Sequence, residues 1–137
     1  MGSSGYTFYD YIDADRDGTN LIRCWLNGDG KGAKGFFMVM IPLLEDSSPP
    51  GWEGSRWVSP RTKPMSGEWK GFTELRKLGK VNYRLIGQMR GHDVFLVAYA
   101  VHKGNNFDTN ISPRTALDRV NQMINNPTRY RRKHEYG

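Results

Sequence analysis

The chain has 137 residues, 37% hydrophobic and 25% charged, which suits one soluble globular domain with a single core. Its 20 Lys and Arg against 14 Asp and Glu give a net charge of +6, a balance that points to a polyanionic partner. No apolar run approaches the roughly 20 residues that span a bilayer, and the lone Cys24 excludes an internal disulfide or a multi-cysteine zinc site.

The first five residues, MGSSG, lack the apolar core of a secretion signal and read as an expression-tag remnant, leaving residues 6–137 as the domain. Together with the single cysteine, expected to be a small buried apolar residue, this suggests a reducing cytoplasm. Tyr6 to Ile12 alternates loosely and predicts a strand that adds to a sheet edge. Asp10, Asp13, Asp15 and Asp17 resemble the start of a calcium loop, but no Glu stands at the twelfth position, so the cluster reads as a solvated turn. Leu21, Ile22, Trp25 and Leu26 then form a helical stripe behind the capping residues Thr19 and Asn20. Lys31 to Glu45 reads as a second helix, kinked at Pro42, with Met38 and Val39 partly outward.

Residues 46–70 are long and irregular, with Pro49, Pro50, Pro60 and Pro64 among Trp52, Trp57, Trp69, Arg56, Arg61 and Lys63. Either the aromatics and cations bind single-stranded nucleic acid, or the tryptophans pin the loop to the core. From Thr73 to Lys103 the pattern is a three-stranded antiparallel meander. A two-residue Gly91-His92 loop pairs Arg90 with Asp93, Leu85 with Ala98 and Tyr83 with Ala100, while a turn at Gly79 pairs Arg76 with Asn82 and Glu74 with Arg84. One face then carries Tyr83, Leu85, Ala98 and Ala100, and the other Glu74, Arg76, Arg84 and Tyr99, with Lys80 and Lys103 near its end. After a polar connector, Ser112-Pro113 starts a helix with the stripe Ala116, Leu117, Val120, Met123 and Ile124. The basic tail from residue 127 to 137 is too polar for a core of its own.

This order, together with the segments WKGFTELR, NYRLIG and VFLVAYAVHKG, resembles the RelE/ParE superfamily of toxins from type II toxin–antitoxin pairs, in its phage-derived, HigB-like branch. The early DYIDADRDGTNLIRCWL and the stretch from Thr109 to Arg119 belong to the same likeness. The resemblance implies an α+β fold in which an antiparallel sheet, the N-terminal strand plus the meander, packs on two N-terminal helices and a C-terminal helix. It implies a cognate antitoxin as partner and either ribosome-dependent cleavage of messenger RNA or inhibition of DNA gyrase. A non-catalytic nucleic-acid-binding module on the same fold is the third reading.

Cleavage by 2′-OH attack needs a base, an acid and cations around the phosphate, and no metal or other cofactor. By the resemblance, Arg84 matches the phosphate-stabilising arginine and Lys103 a basic residue at the end of the last strand. His134, His102, Tyr99 and Tyr136 are candidates for the proton transfers, and His92 is a turn residue. Arg76, Lys80, Arg56, Arg61, Lys63, Arg114, Arg131 and Arg132 are the expected RNA contacts. For Arg84 the competing reading is a cross-strand salt bridge to Glu74.

Overall fold

The computed structural model describes residues 5–47, 55–58, 61–103 and 106–135, with the side chains of 103 and 106–108 left aside. It is an α+β arrangement whose sheet is mixed rather than antiparallel throughout. The strands are β1 (Thr7–Asp13), β2 (Thr19–Asn20), β3 (Thr62–Pro64), β4 (Thr73–Lys77), β5 (Asn82–Arg90), β6 (Asp93–Lys103), β7 (Asn106–Thr109) and β8 (Arg131–Lys133). The helices are α1 (Leu21–Leu26), α2 (Lys31–Glu45), α3 (Pro113–Asn125) and α4 (Pro127–Tyr130). Among the described residues the order is β2-β1-β6-β5-β4-β3, with β7 on β6 and β8 on β1.

Several elements depart from expectation, among them a strand, β3, that pairs with β4 inside the stretch read as an irregular loop. β1 does not lie at an edge: it runs parallel to β6 on one side and pairs with β2 and β8 on the other. The polar connector after β6 supplies β7. The tail docks, because Arg131 to Lys133 hydrogen-bond along β1 and the His134 amide donates to the Phe8 carbonyl at 2.8 Å. A chain too polar to build a core still folds when a strand edge offers backbone partners. Pro49, Pro50, Trp52, Pro60 and Tyr136 lie outside the described residues.

Both faces of the sheet are buried. One packs Phe8, Leu75, Leu85 and Leu96 against α1 and α2, and the other packs Ile86, Phe95, Val97 and Ala98 against Ala116, Val120 and Met123 of α3. Ala98 and Ala116 are both fully buried, the close helix approach expected of small residues. Ser112 caps α3, its Oγ accepting from the Thr115 amide at 3.2 Å. Leu117 and Ile124, expected in the buried stripe, are half-exposed, as is Met38 on α2. Cys24 is exposed rather than buried, since the α1 stripe turns Leu21, Ile22, Trp25 and Leu26 inward and leaves positions 23 and 24 outside. Trp57 pins its segment to the core, stacked on Phe8 at 5.8 Å between ring centroids, and its Nε1 donates to the Leu44 carbonyl at 3.3 Å.

The meander holds the main correction. Arg90 pairs with Asp93 and Met89 with Val94 as expected, but a bulge follows. Gly87 pairs with Leu96 and Ile86 with Ala98, so Val97 is an extra residue on β6. Val97 and Ala98 both join the α3 cluster, which reverses the alternation beyond them. Leu85 therefore faces Tyr99, and Tyr83 faces Val101, on the α1/α2 side, while Ala98 and Ala100 belong to the α3 side. Arg119 reaches under the bulge and donates to the Val97 carbonyl at 3.0 Å. A Cβ at Gly87 would lie 2.8 Å from the Phe95 carbonyl oxygen, which is backbone and cannot swing aside. Gly87→Ala is thus expected to destabilise the protein by about 2 kcal/mol, read as a lower denaturant midpoint at unchanged slope.

Candidate functional site

β4 and β5 pair with Arg76 opposite Arg84 and Glu74 opposite Ile86, two residues removed from the expected register. A slip of two keeps every side chain on its face, so Glu74, Arg76 and Arg84 still share one surface. The slip lengthens the turn to residues 78–81, where the Gly79 amide donates to Asn82 Oδ1 at 3.0 Å.

Two guanidinium groups directly opposite each other repel unless a carboxylate lies between them. Glu74 supplies it. Arg84 Nη1 donates to both of its oxygens, at 3.0 and 3.3 Å, and Arg76 Nε lies 3.6 Å from Oε1. Glu74 is almost wholly buried, while the Arg84 and Arg76 side chains keep 15% and 17% of their surface in solvent. The salt bridge to Glu74 anticipated for Arg84 is thus present, and it fixes both arginines on one surface. His102 pairs with Asn82, two positions beyond Arg84, on the same face. That makes it the diagonal cross-strand neighbour of Arg84, roughly 7 Å away. Lys63, opposite Glu74 on β3, is exposed at the rim. Lys80 is exposed in the turn between β4 and β5.

The other expected site residues lie elsewhere. Tyr99 does not join Arg84, because the bulge turns it to the α1/α2 face, where it stacks on Trp25 at 4.9 Å. Burial there raises its phenol above the ordinary tyrosine range, which leaves it a poor proton acceptor near neutrality. Arg56 and Arg61 line a groove on α2, not the surface of Arg84. Arg114 stands at the start of α3 beside Glu68 and Lys70. Arg131 lies over the Tyr9 ring at 4.3 Å, and Arg132 Nη1 donates to the Thr128 and Arg131 carbonyls, each at 2.9 Å. Lys103 ends β6, and its side chain falls outside the described set. His92 sits in the hairpin turn, its Nδ1 3.1 Å from the Gly5 carbonyl.

His134 is not a solvated tail residue. It is buried, and its Nδ1 is 2.7 Å from Asp10 Oδ1. A carboxylate only accepts, so Nδ1 carries the proton. Asp10, assigned from sequence to a solvated acidic turn, is instead 2% exposed, and its Oδ2 accepts from Asn20 Nδ2 at 3.0 Å. Asn20 in turn caps α1, accepting from the Arg23 amide at 2.9 Å. One chain of hydrogen bonds therefore ties the tail to β1 and to the start of α1. β1 and β6 lie between His134, which follows β8, and β5, a span of about 14 Å at ordinary strand spacing. His134 also faces α1 and α2, beside Leu26 and Phe37, on the side of the sheet away from Arg84. One phosphodiester cannot touch both groups. Asp10 had a signal in the sequence: it continues the inward positions Tyr6, Phe8 and Ile12.

Glu45, at the end of α2, completes the surroundings of His134. Burial raises its carboxyl above the usual carboxylate range, opposed in part by a hydrogen bond from the Phe8 amide and by Lys133 and His134. An acid with a raised folded pKa penalises folding where it must ionise, at pH above that value. The penalty fades as pH falls through the raised pKa and is gone below the unfolded value. Glu45→Gln, which keeps an acceptor for the Phe8 amide, is expected to melt above wild type at pH 7 and level with it near pH 4, by scanning calorimetry.

Among the described residues no group of His, Cys, Asp and Glu could hold a metal ion, and no helix is long and apolar enough to cross a membrane. Set against known proteins, the chain matches no family model, no curated protein and no solved structure.

Proposed function

We propose that this chain is a RelE-like toxin of a type II toxin–antitoxin pair that cuts messenger RNA at the ribosome. The observation that carries the reading is the pair Arg76 and Arg84, held side by side by Glu74, with His102 beside them. The motifs WKGFTELR and NYRLIG, which supply Glu74, Arg76 and Arg84, carry the resemblance as well. The excess of positive charge suits a polyanionic substrate.

In the proposed reaction the 2′ oxygen attacks the adjacent phosphorus, a 2′ O–P bond forms and the 5′ O–P bond breaks. The proton leaves the 2′-OH for a base, and the departing 5′ oxygen takes one from an acid. Arg84 and Arg76 stabilise the charge that builds on the phosphoryl oxygens. His102 is the imidazole nearest to Arg84, with both ring nitrogens beneath the surface. It serves the proton transfers only where the bound RNA opens a path to them, and Lys63 and Lys80 hold flanking phosphates. His134 and Tyr99 have no role in this scheme. The products are a 2′,3′-cyclic phosphate and a 5′-hydroxyl end.

One observation favours a second reading. Arg84 Nη1 is bonded to both Glu74 oxygens, as in a purely structural ion pair. That suits a gyrase inhibitor or a nucleic-acid-binding module that binds without cutting. Primer extension on a defined message in a reconstituted translation system separates the readings. The first expects stops that need ribosomes and survive chelation of free metal beyond what translation requires, with 5′-hydroxyl downstream ends. Absence of stops, with supercoiling intermediates trapped on gyrase instead, favours the second.

A further inference from the structure

We propose that the cleft between the start of α3 and the sheet beneath it holds a guanine base. The cleft has a volume of about 430 Å³, with Phe72 and Leu117 as its apolar lining. Leu117 is 40% exposed there, an apolar surface that a flat base can cover. Gln88, on β5, lines the same cleft and is only 9% exposed. Its Oε1 accepts from Arg90 Nε at 2.7 Å, which fixes the orientation of the amide and leaves Nε2 as a donor. Gly71 carries no side chain to cover that nitrogen, where a Cβ would lie 3.6 Å from it. Among the described residues none accepts from Nε2, so a ligand carbonyl is the partner it lacks.

The charged residues select the base. Asp118 lines the cleft beside Leu117, together with Glu68, Lys70 and Arg114. Among the described residues none of these four is ion-paired. A carboxylate takes two parallel N–H bonds. Guanine offers it such a pair, N1–H and N2–H, with the O6 acceptor alongside for Gln88 Nε2, whereas adenine, cytosine and uracil each present a single donor group on that edge. Asp118 is the reader rather than Glu68, because Glu68 also lines the adjoining outer cleft with Ser112, Pro113 and Arg114, away from Gln88. Arg114, exposed and common to both clefts, meets the phosphate that leads away from the base. Phe72 and Ile86 place the cleft on the α3 side of the sheet, the side of Arg84, and Gln88 stands four residues along β5 from that arginine, about 13 Å. A guanosine bound there is a neighbour of the nucleotide being cut, not that nucleotide itself.

As part of an RNA, the base rests on the function proposed above, but its identity can be measured without cutting. The probes are short oligouridines with one central guanosine, adenosine, cytidine or uridine, 2′-O-methylated throughout so that no 2′ oxygen can attack. Binding to the full chain is read by fluorescence anisotropy. Guanosine should bind about tenfold or more tighter than the other three, and inosine, which lacks the N2 amino group, should lose most of that advantage. Asp118→Asn should abolish the preference and leave affinity for plain oligouridine unchanged, whereas Arg84→Ala should weaken all four alike. An unchanged unfolding midpoint shows that Asp118→Asn, a substitution at an exposed position, stays folded. Free GMP that competes as well as the guanosine oligonucleotide makes a nucleotide the source of the base, and weaker competition makes it RNA. Equal affinity for the four bases, preference for another base, or a guanosine preference that survives Asp118→Asn overturns the proposal. Cleavage without guanine preference sinks the subsite and spares the proposed function, while guanine preference without cleavage does the reverse.

Discussion

His134→Ala is expected to lower the free energy of unfolding by about 3 kcal/mol, because it strands a buried carboxylate. Asp10 is 2% exposed, and among the described residues Asn20 is the side-chain donor it keeps once the imidazole is gone. With the imidazole gone, β8 also loses the side-chain tie to β1 that stands beside the backbone bond from residue 134 to the Phe8 carbonyl. The loss spreads to α1, whose cap is the same Asn20. Urea denaturation should show the drop, and hydrogen exchange should place early opening at β8, the outer edge of β1 and the first turn of α1. His134→Gln, which retains a side-chain donor, should recover part of it. A fall confined to the last residues, with β1 and α1 protected as in wild type, would contradict this role.

The second large effect is on activity. Arg84→Ala is expected to reduce RNA cleavage about 100-fold, the usual loss when a donor to a developing oxyanion is removed. Stability should fall less, by about 1 to 2 kcal/mol, because Glu74 keeps Arg76 at 3.6 Å. Arg84→Lys should rescue little. A point charge on a flexible stem cannot hold Glu74 and a phosphate oxygen together as a planar fork does. Single-turnover rates measured well below the variant's melting temperature separate the two effects. A variant that cleaves normally once folded would reduce Arg84 to the structural partner of Glu74.

The elements were legible in the sequence where periodicity and end signals agreed. α1 lies between Asn20 and Asn27, α3 starts behind Ser112, and the Gly91-His92 turn sets Arg90 against Asp93. The site was half legible. Glu74, Arg76 and Arg84 share a face under either register, since the two differ by two residues. Tyr99 was misplaced because one bulged residue, Val97, inverts the alternation of everything after it. The hint was Gly87, a lone glycine within a strand pattern, which marks a bulge or a close backbone approach. β8 gave no apolar pattern at all. Backbone pairing and one hydrogen bond between residues 124 positions apart hold it, and neither leaves a periodic trace.

The measurement that bears most directly on where the chemistry sits is primer extension with four variants side by side: Arg84→Ala, His102→Ala, His134→Gln and Tyr99→Phe. Each is compared with wild type on the same translated message, at equal concentrations of folded protein. Stops should fade about 100-fold for Arg84→Ala and His102→Ala and persist for His134→Gln and Tyr99→Phe. Loss of cleavage in folded His134→Gln, with His102→Ala active, would move the site to the Asp10 cluster and contradict the account.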